Sequence, residues 1–329
     1  MNKPFGFAVL VITFIMITIF SLDQPYIIDF VEGVEAVEQS DDLESTEQKE
    51  DEDDLKDDEQ TTAENDDDAD AADDDADQSG AKDNKSNAGT SKIYQIKGES
   101  KNLNEEQLGN MKKWRSDIVK FAGNHPGLIY INGYTGKKMV CLTFDDGPDG
   151  EITPQVLNIL KRYHVKASFF FVGNKIEQYP EIINTAYQEG HLVLSHTWSH
   201  RQLNAMEEQE IRREVEMSED KIYELIGERP AFIRPPYGEV DEKVARAIKN
   251  RGGKIILWSI DTLDWSQKEK NNIVKNVTEH VRPGDIILMH CDSDKTETVK
   301  ALPEIITILR QKGYQFVDLG EMLQINPYK

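Results

Sequence analysis

From Leu128 to Asp318 short apolar runs alternate with longer amphipathic ones, and this rhythm limits the fold more than any other feature of the chain. Leu128–Ile131, Lys138–Phe144, Ala167–Val172, Leu192–Leu194, Ala231–Ile233, Lys254–Ile260, Ile286–Met289 and Gln315–Asp318 read as strands, being short and largely β-branched or aromatic. Thr153–His164, Pro180–Glu189, Glu207–Ile226, Glu242–Asn250, Asn272–Val281 and Val299–Lys312 between them read as helices. Ahead of them Asn104 caps an expected helix over Glu105–Phe121, with Leu108, Met111, Ile118 and Phe121 on or near one face. Strands separated by helices pair in parallel. About seven such strands predict a distorted α/β barrel of parallel strands, of (β/α)7 type, rather than a small open sheet.

The polar outliers collect at the C-terminal ends of these strands, the face on which parallel barrels build active sites. Thr143-Phe144-Asp145-Asp146-Gly147-Pro148 ends one strand in a breaker. Neighbours on a strand point to opposite faces, so two adjacent carboxylates there can serve different purposes. Taken alone, the same residues also read as a turn whose acids bond local N–H groups. Further along come Ser195-His196-Thr197-Trp198-Ser199-His200, Arg234-Pro235-Pro236-Tyr237-Gly238, Asp261-Thr262-Leu263-Asp264-Trp265 and His290. His196 and His200 are four apart and share a face on a helical turn. With one carboxylate, from Asp145 or Asp146, they form a ligand set for Zn²⁺ that leaves positions open. Each residue alone also has a structural reading, as cap, core or ion pair. Their joint placement on one face favours a site.

These five stretches, in order and spacing, resemble the five motifs of the polysaccharide deacetylases, the NodB-homology group of carbohydrate esterases. The resemblance covers about Gly136–Leu323. It implies the barrel, a divalent metal (Zn²⁺, with Co²⁺ or Ni²⁺ also fitting) and removal of N-acetyl groups from a polysaccharide. It also implies Asp145 as the catalytic base, with Asp146, His196 and His200 as metal ligands. Arg234 matches the residue that holds the base, and Tyr237 the one whose backbone N–H helps form an oxyanion hole. Asp264 matches the acid that tunes the histidine, Trp265 and Leu288 the apolar walls, and His290 the general acid. One departure is visible: Leu194-Ser195 stands where many members have Gly-Asn before the first metal histidine.

The N-terminal part is of another kind. Lys3 precedes 18 uncharged residues, Phe5 to Leu22, close to the shortest helix that spans a bilayer. No small-x-small cleavage site follows, so residues 1–28 read as an uncleaved signal-anchor, with a cleaved secretory signal as the alternative. From Asp29 to Asp83 stand 26 Asp or Glu against three Lys, a net of −23 that equals the charge of the whole chain. The rest therefore sums to zero, and no nucleic-acid partner is expected. Residues 29–100 read as a disordered acidic linker, since such composition buries too little surface to offset the entropy of ordering. About 62 residues of it span roughly 40–50 Å. Residues 101–135 form a lead-in and 136–323 the catalytic domain, outside the cell and tethered to its membrane. Cys141 and Cys291 are too few for a disulfide scaffold and read as unpaired.

The expected substrate is GlcNAc in peptidoglycan. Alternatives are MurNAc, chitin or poly-GlcNAc, an O-acetylated polymer such as xylan, and a catalytically silent wall-binding protein. The last is disfavoured because no motif position is lost. Oligomeric state is not readable from the sequence.

Overall fold

The computed structural model describes residues 92–329. The expected membrane segment, and the expected linker up to residue 91, lie outside the described residues. No helix among the described residues is long and apolar enough to cross a membrane.

Among the described residues nine strands form one sheet: β1 (Ile129–Tyr130), β2 (Met139–Asp145), β3 (Ser168–Phe171), β4 (Leu192–Ser195), β5 (Phe232–Ile233), β6 (Lys254–Ile256), β7 (Ile260–Asp261), β8 (Asp285–His290) and β9 (Gln315–Phe316). Their order is β1-β6-β5-β4-β3-β2-β8-β7, with β9 also beside β2. All ladders are parallel, as strand–helix alternation requires. The helices are α1 (Glu105–Asn124), α2 (Ile152–Arg162), α3 (Gly173–Ile176), α4 (Pro180–Gln188), α5 (Glu208–Ile226), α6 (Glu242–Asn250), α7 (Lys270–Thr278), α8 (Thr296–Gln311) and α9 (Leu319–Leu323). Asn104 caps α1 as expected: its side chain accepts from Gln107 N, and the Gln107 side chain accepts from Asn104 N, both at 2.9 Å.

The sheet curls, and the manner of its curling corrects one expectation. Lys254–Ile260 is not a single strand. Its first part, β6, pairs with β1 and β5, while β7, only a few residues on, pairs with β8 at the other end of the ladder. The break falls where Arg234 takes the carbonyls, Nε donating to Ile256 O and Nη2 to Leu257 O, both at 3.0 Å. There the carbonyls face a buried side chain. The result is a curled parallel half-barrel, with no ladder joining β1 to β7.

Residues 92–100, which composition places in the linker, belong to the folded part. Lys97 bridges Ile260 in parallel, Ile96 is buried, and Tyr94 N donates to the Asn132 side chain at 2.9 Å. This strap passes so close to β7 that a Cβ on Gly98 (φ +134°) would lie 2.0 Å from the Asp261 carbonyl oxygen.

Strand alternation separates two cores. Val140, Leu142 and Phe144 of β2 pack outward with Phe169 and Phe171 of β3, under α2 and α8; Cys141, Phe170, Ile286 and Leu288 face inward. Both faces are covered, so β2 is buried at every position and its run is apolar without alternation. Period two then places Thr143 and Asp145 on the inward face after Cys141, and His290 after Ile286 and Leu288. Both cysteines are free and buried.

Candidate active site

Asp145 and His290 end β2 and β8 as register partners. At the end of β2 the chain leaves the strand at once, with Asp146 at φ 69°. Asp146 Oδ1 lies 3.2 Å from His196 Nε2 and 2.9 Å from His200 Nε2. The two imidazoles do not meet on a helical turn, contrary to the spacing argument. His196 follows β4 directly, and left-handed Thr197 (φ 65°) and His200 (φ 56°) fold the loop so that the ring centroids stand 4.9 Å apart. Asp146, Thr197, His200, Tyr237 and Leu263 are five of the eight non-glycine residues with positive φ among the described residues. Such conformations are unfavourable for Thr, Leu and Tyr and persist where surrounding packing dictates them. The loops of this face are therefore shaped by the site.

The protonation of His196 is fixed by its neighbour. Its Nδ1 lies 2.6 Å from the Arg234 carbonyl, which can only accept, so the proton sits on Nδ1 and the Nε2 lone pair faces Asp146. No hydrogen bond reaches the buried Oδ1 of Asp146 despite the two nitrogens beside it. One ligand atom from each of Asp146, His196 and His200 lies within 4.8 Å of the others. A His196 lone pair directed at an orphaned carboxylate oxygen, with His200 Nε2 2.9 Å from the same oxygen, fits a cation, and these three residues can hold a divalent metal. Ser195 supports the loop from within: its hydroxyl donates to Ser218 Oγ (2.9 Å) and accepts from Thr197 N (3.2 Å).

Arg234 has no exposed surface and lies behind Asp145. Its Nη1 donates to Asp145 Oδ1 at 2.7 Å and to Thr143 Oγ1 at 2.9 Å, two positions on one face of β2. The guanidinium is stacked 4.1 Å from the centroid of Phe170. With Oδ1 held, Oδ2 is the oxygen facing His196, 3.9 Å from Nε2. Across the site His290 Nδ1 donates to Asp264 Oδ1 at 2.7 Å, and Asp264 Oδ2 accepts from His290 N (2.9 Å) and Thr298 Oγ1 (2.8 Å). Burial lowers the His290 pKa, but the Asp264 carboxylate outweighs this and lifts it to about 10. Asp264 is shifted down: burial works against its charge, and His290 more than compensates.

Asp145, Asp146, His196, His200 and His290 line one cleft of about 510 Å³, and Tyr237, Trp265 and Leu288 form its apolar walls. Tyr237 (φ 63°) is exposed and sets its ring 4.9 Å from that of His200. Arg234 and Asp264 are not in the cleft; each stands behind the residue it positions. Residues given no role in the site from the sequence add to the lining: Asp261, Trp258, Pro235, Glu239, and Asn110, Met111 and Trp114 of α1. Trp114 continues the spacing of Met111, Ile118 and Phe121, so sequence alone gives it to the core. Burial raises the Asp261 pKa, although Arg115 of α1 lies 3.5 Å away.

A parallel half-barrel with an Asp-His-His cluster and an Arg-held Asp at its strand ends defines a class, and the comparisons agree: this chain belongs to the polysaccharide deacetylase family. The family model described as "Polysaccharide deacetylase" matches residues 132–256. A peptidoglycan-N-acetylglucosamine deacetylase of Bacillus cereus is 40% identical over 196 residues, covering 59% of this chain and 71% of that protein. The peptidoglycan-N-acetylmuramic acid deacetylase PdaC of Bacillus subtilis is 34% identical over 240 residues, covering 72% of this chain and half (50%) of that one. The crystal structure of the Bc1960 peptidoglycan N-acetylglucosamine deacetylase superposes with a TM-score of 0.60 at 38% identity, covering 61% of this chain and 95% of that one.

Proposed function

We propose that this protein removes the N-acetyl group from GlcNAc units of peptidoglycan, in a reaction dependent on a divalent metal held by Asp146, His196 and His200. The observation that carries the reading is the pair of register partners, an Arg-held carboxylate and an Asp-held imidazole, flanking an orphaned carboxylate oxygen. Two imidazoles and one carboxylate suit Zn²⁺, with Co²⁺ and Ni²⁺ as further fits. When bound, such a cation supplies Lewis-acid chemistry, acidifying water and stabilising negative charge.

The chain's own residues supply the rest. Asp145, with Oδ1 fixed by Arg234, takes a proton from the attacking water on Oδ2. The water oxygen bonds to the acetyl carbonyl carbon, and the Tyr237 backbone N–H donates to the oxyanion; one such donor contributes about 3–4 kcal/mol in comparable sites. His290, its Nδ1 tied to Asp264, delivers a proton from Nε2 to the leaving nitrogen, since an amide does not expel an amine anion. The C–N bond breaks, leaving acetate and a free amino sugar.

GlcNAc is favoured over MurNAc because the relative named for GlcNAc is the more similar of the two, 40% against 34% identical. MurNAc also carries a lactyl ether at O3 and demands a roomier cleft. The apolar stretch Phe5–Leu22 would hold the enzyme at the outer face of the membrane, with the acidic tract as tether to the nearby wall. Peptidoglycan treated with the protein, labelled at free amines and hydrolysed in acid should yield labelled glucosamine. Labelled muramic acid alone would overturn the choice of sugar. Acetate released without new amines would point to ester cleavage instead.

A further inference from the structure

The catalytic cleft does not end at the catalytic residues. Asn110, Trp114 and Glu239 line it and also line an adjoining cavity of about 380 Å³, which continues along α1 past Lys113 and Val240. Here α1 meets the turn after β5. Trp114 and Trp258 stack with centroids 5.5 Å apart and planes 30° off parallel. They reach this position over Gly238, where a Cβ would lie 2.7 Å from Trp114 and 2.8 Å from Trp258. Trp258 is only 6% exposed, and its indole N–H finds no acceptor among the described residues. A buried donor without an acceptor is unfavourable unless a ligand supplies one. Neither α1 nor Trp258 falls within the part of the chain that the family model matches, residues 132–256.

We propose that α1 builds a second sugar subsite, in which the Trp114–Trp258 pair receives the pyranose next to the one being deacetylated; this rests on the polysaccharide reading of the catalytic site. A pyranose has an apolar C–H face and an equatorial rim of hydroxyls. The half-buried Trp114 indole, backed by Trp258, offers a flat apolar surface, the Trp258 N–H a donor to a ring substituent, and Asn110 and Glu239 polar groups at the rim. Glu239 Oε2 already accepts from Asn204 Nδ2 at 3.0 Å, which fixes that side chain. Lys113 is paired with Asp117 at 2.6 Å, so the groove presents no unpaired cation to a stem-peptide carboxylate. A sugar is therefore the better occupant than a peptide.

The test uses full-length Trp114→Ala, Trp114→Phe and Asn110→Ala proteins with N-acetylglucosamine oligomers of increasing length. The advantage in kcat/KM of the disaccharide over the monosaccharide should fall about tenfold in Trp114→Ala, through KM rather than kcat, and recover in part in Trp114→Phe. Asn110→Ala, an exposed substitution that leaves the fold alone, should lower the same ratio by a smaller factor. Calorimetric titration of tetrasaccharide into Asp145→Asn protein, with and without Trp114→Ala, reads the subsite without turnover and so separates its failure from failure of the catalytic reading. An unchanged ratio and unchanged affinity in folded Trp114→Ala and Asn110→Ala proteins would overturn the proposal. So would a loss confined to glycan strands that carry stem peptides.

Discussion

Asp145 and His290 face each other as register partners on adjacent parallel strands, β2 and β8. Strand spacing holds their backbones about 4.8 Å apart. The two groups to which the proposed mechanism gives opposite proton tasks share one rigid element pair, and each has its own partner behind it: Arg234 for Asp145, Asp264 for His290. Under that mechanism, mutating either member of this pair should separate chemistry from metal binding.

Asp145→Asn should retain the metal and lose turnover by about 10²–10⁴-fold, the usual contribution of a positioned base. It keeps an acceptor for Arg234, so the fold should survive. Asp145→Ala removes that acceptor and leaves a wholly buried guanidinium without its counter-charge, which costs about 3–5 kcal/mol. Metal content, steady-state rates and thermal melts of the two variants check this. Loss of metal from Asp145→Asn would reverse the assignment of the two acids.

Asp146→Ala, His196→Ala and His200→Ala should each abolish stoichiometric metal binding. The purified parent should contain about one divalent ion and lose activity on chelation, with recovery on adding Zn²⁺. Elemental analysis before and after dialysis against chelator reads this directly. Full activity in metal-free protein would end the mechanism.

The pH dependence follows from His290. Its folded pKa of about 10 stands above the ordinary 6.5, so the stabilisation from its pairing with Asp264 is complete below about 6.5 and fades as pH rises toward 10. In the folded protein the proton donor is lost only as pH passes through that folded pKa. A bound cation cancels the pull of Asp146 and brings the alkaline limb of kcat below 10. Asp264→Asn should move that limb down by at least about one further pH unit. A limb that does not move between parent and variant would show that His290 is not the acid.

Much of the barrel and most of the site were legible in the sequence, for a shared reason. Elements such as β2 and α6 are set by local patterns, and the motif residues sit where strand ends place them. What escaped depends on distant partners. The break between β6 and β7 falls where Arg234 takes the carbonyls of Ile256 and Leu257, some 22 residues away in the case of Ile256. The approach of His196 and His200 comes from left-handed loop residues, which no helical spacing reveals. Trp114 reads as core because its spacing is that of the buried stripe, yet it borders the cleft. Residues 92–100 look like linker by composition and are held by β7 and Asn132.

The proposed topology has its own check. Lys3 ahead of the apolar stretch, with no basic cluster just after it, favours an N-terminus inside the cell. Protease added to intact protoplasts should then release the catalytic domain. Protection of the domain would refute the orientation, and a mature N-terminus beyond Leu22 would show a cleaved signal.

The most direct test of the central claim is acetate release from an N-acetylglucosamine tetrasaccharide, followed by mass detection of the product. Zinc-loaded protein should release acetate with a matching loss of acetyl mass and one new amine per event. Chelated protein and Asp145→Asn should release almost none. Equal release by parent, chelated protein and Asp145→Asn, or none by the loaded parent on any N-acetylated glycan, would contradict the account.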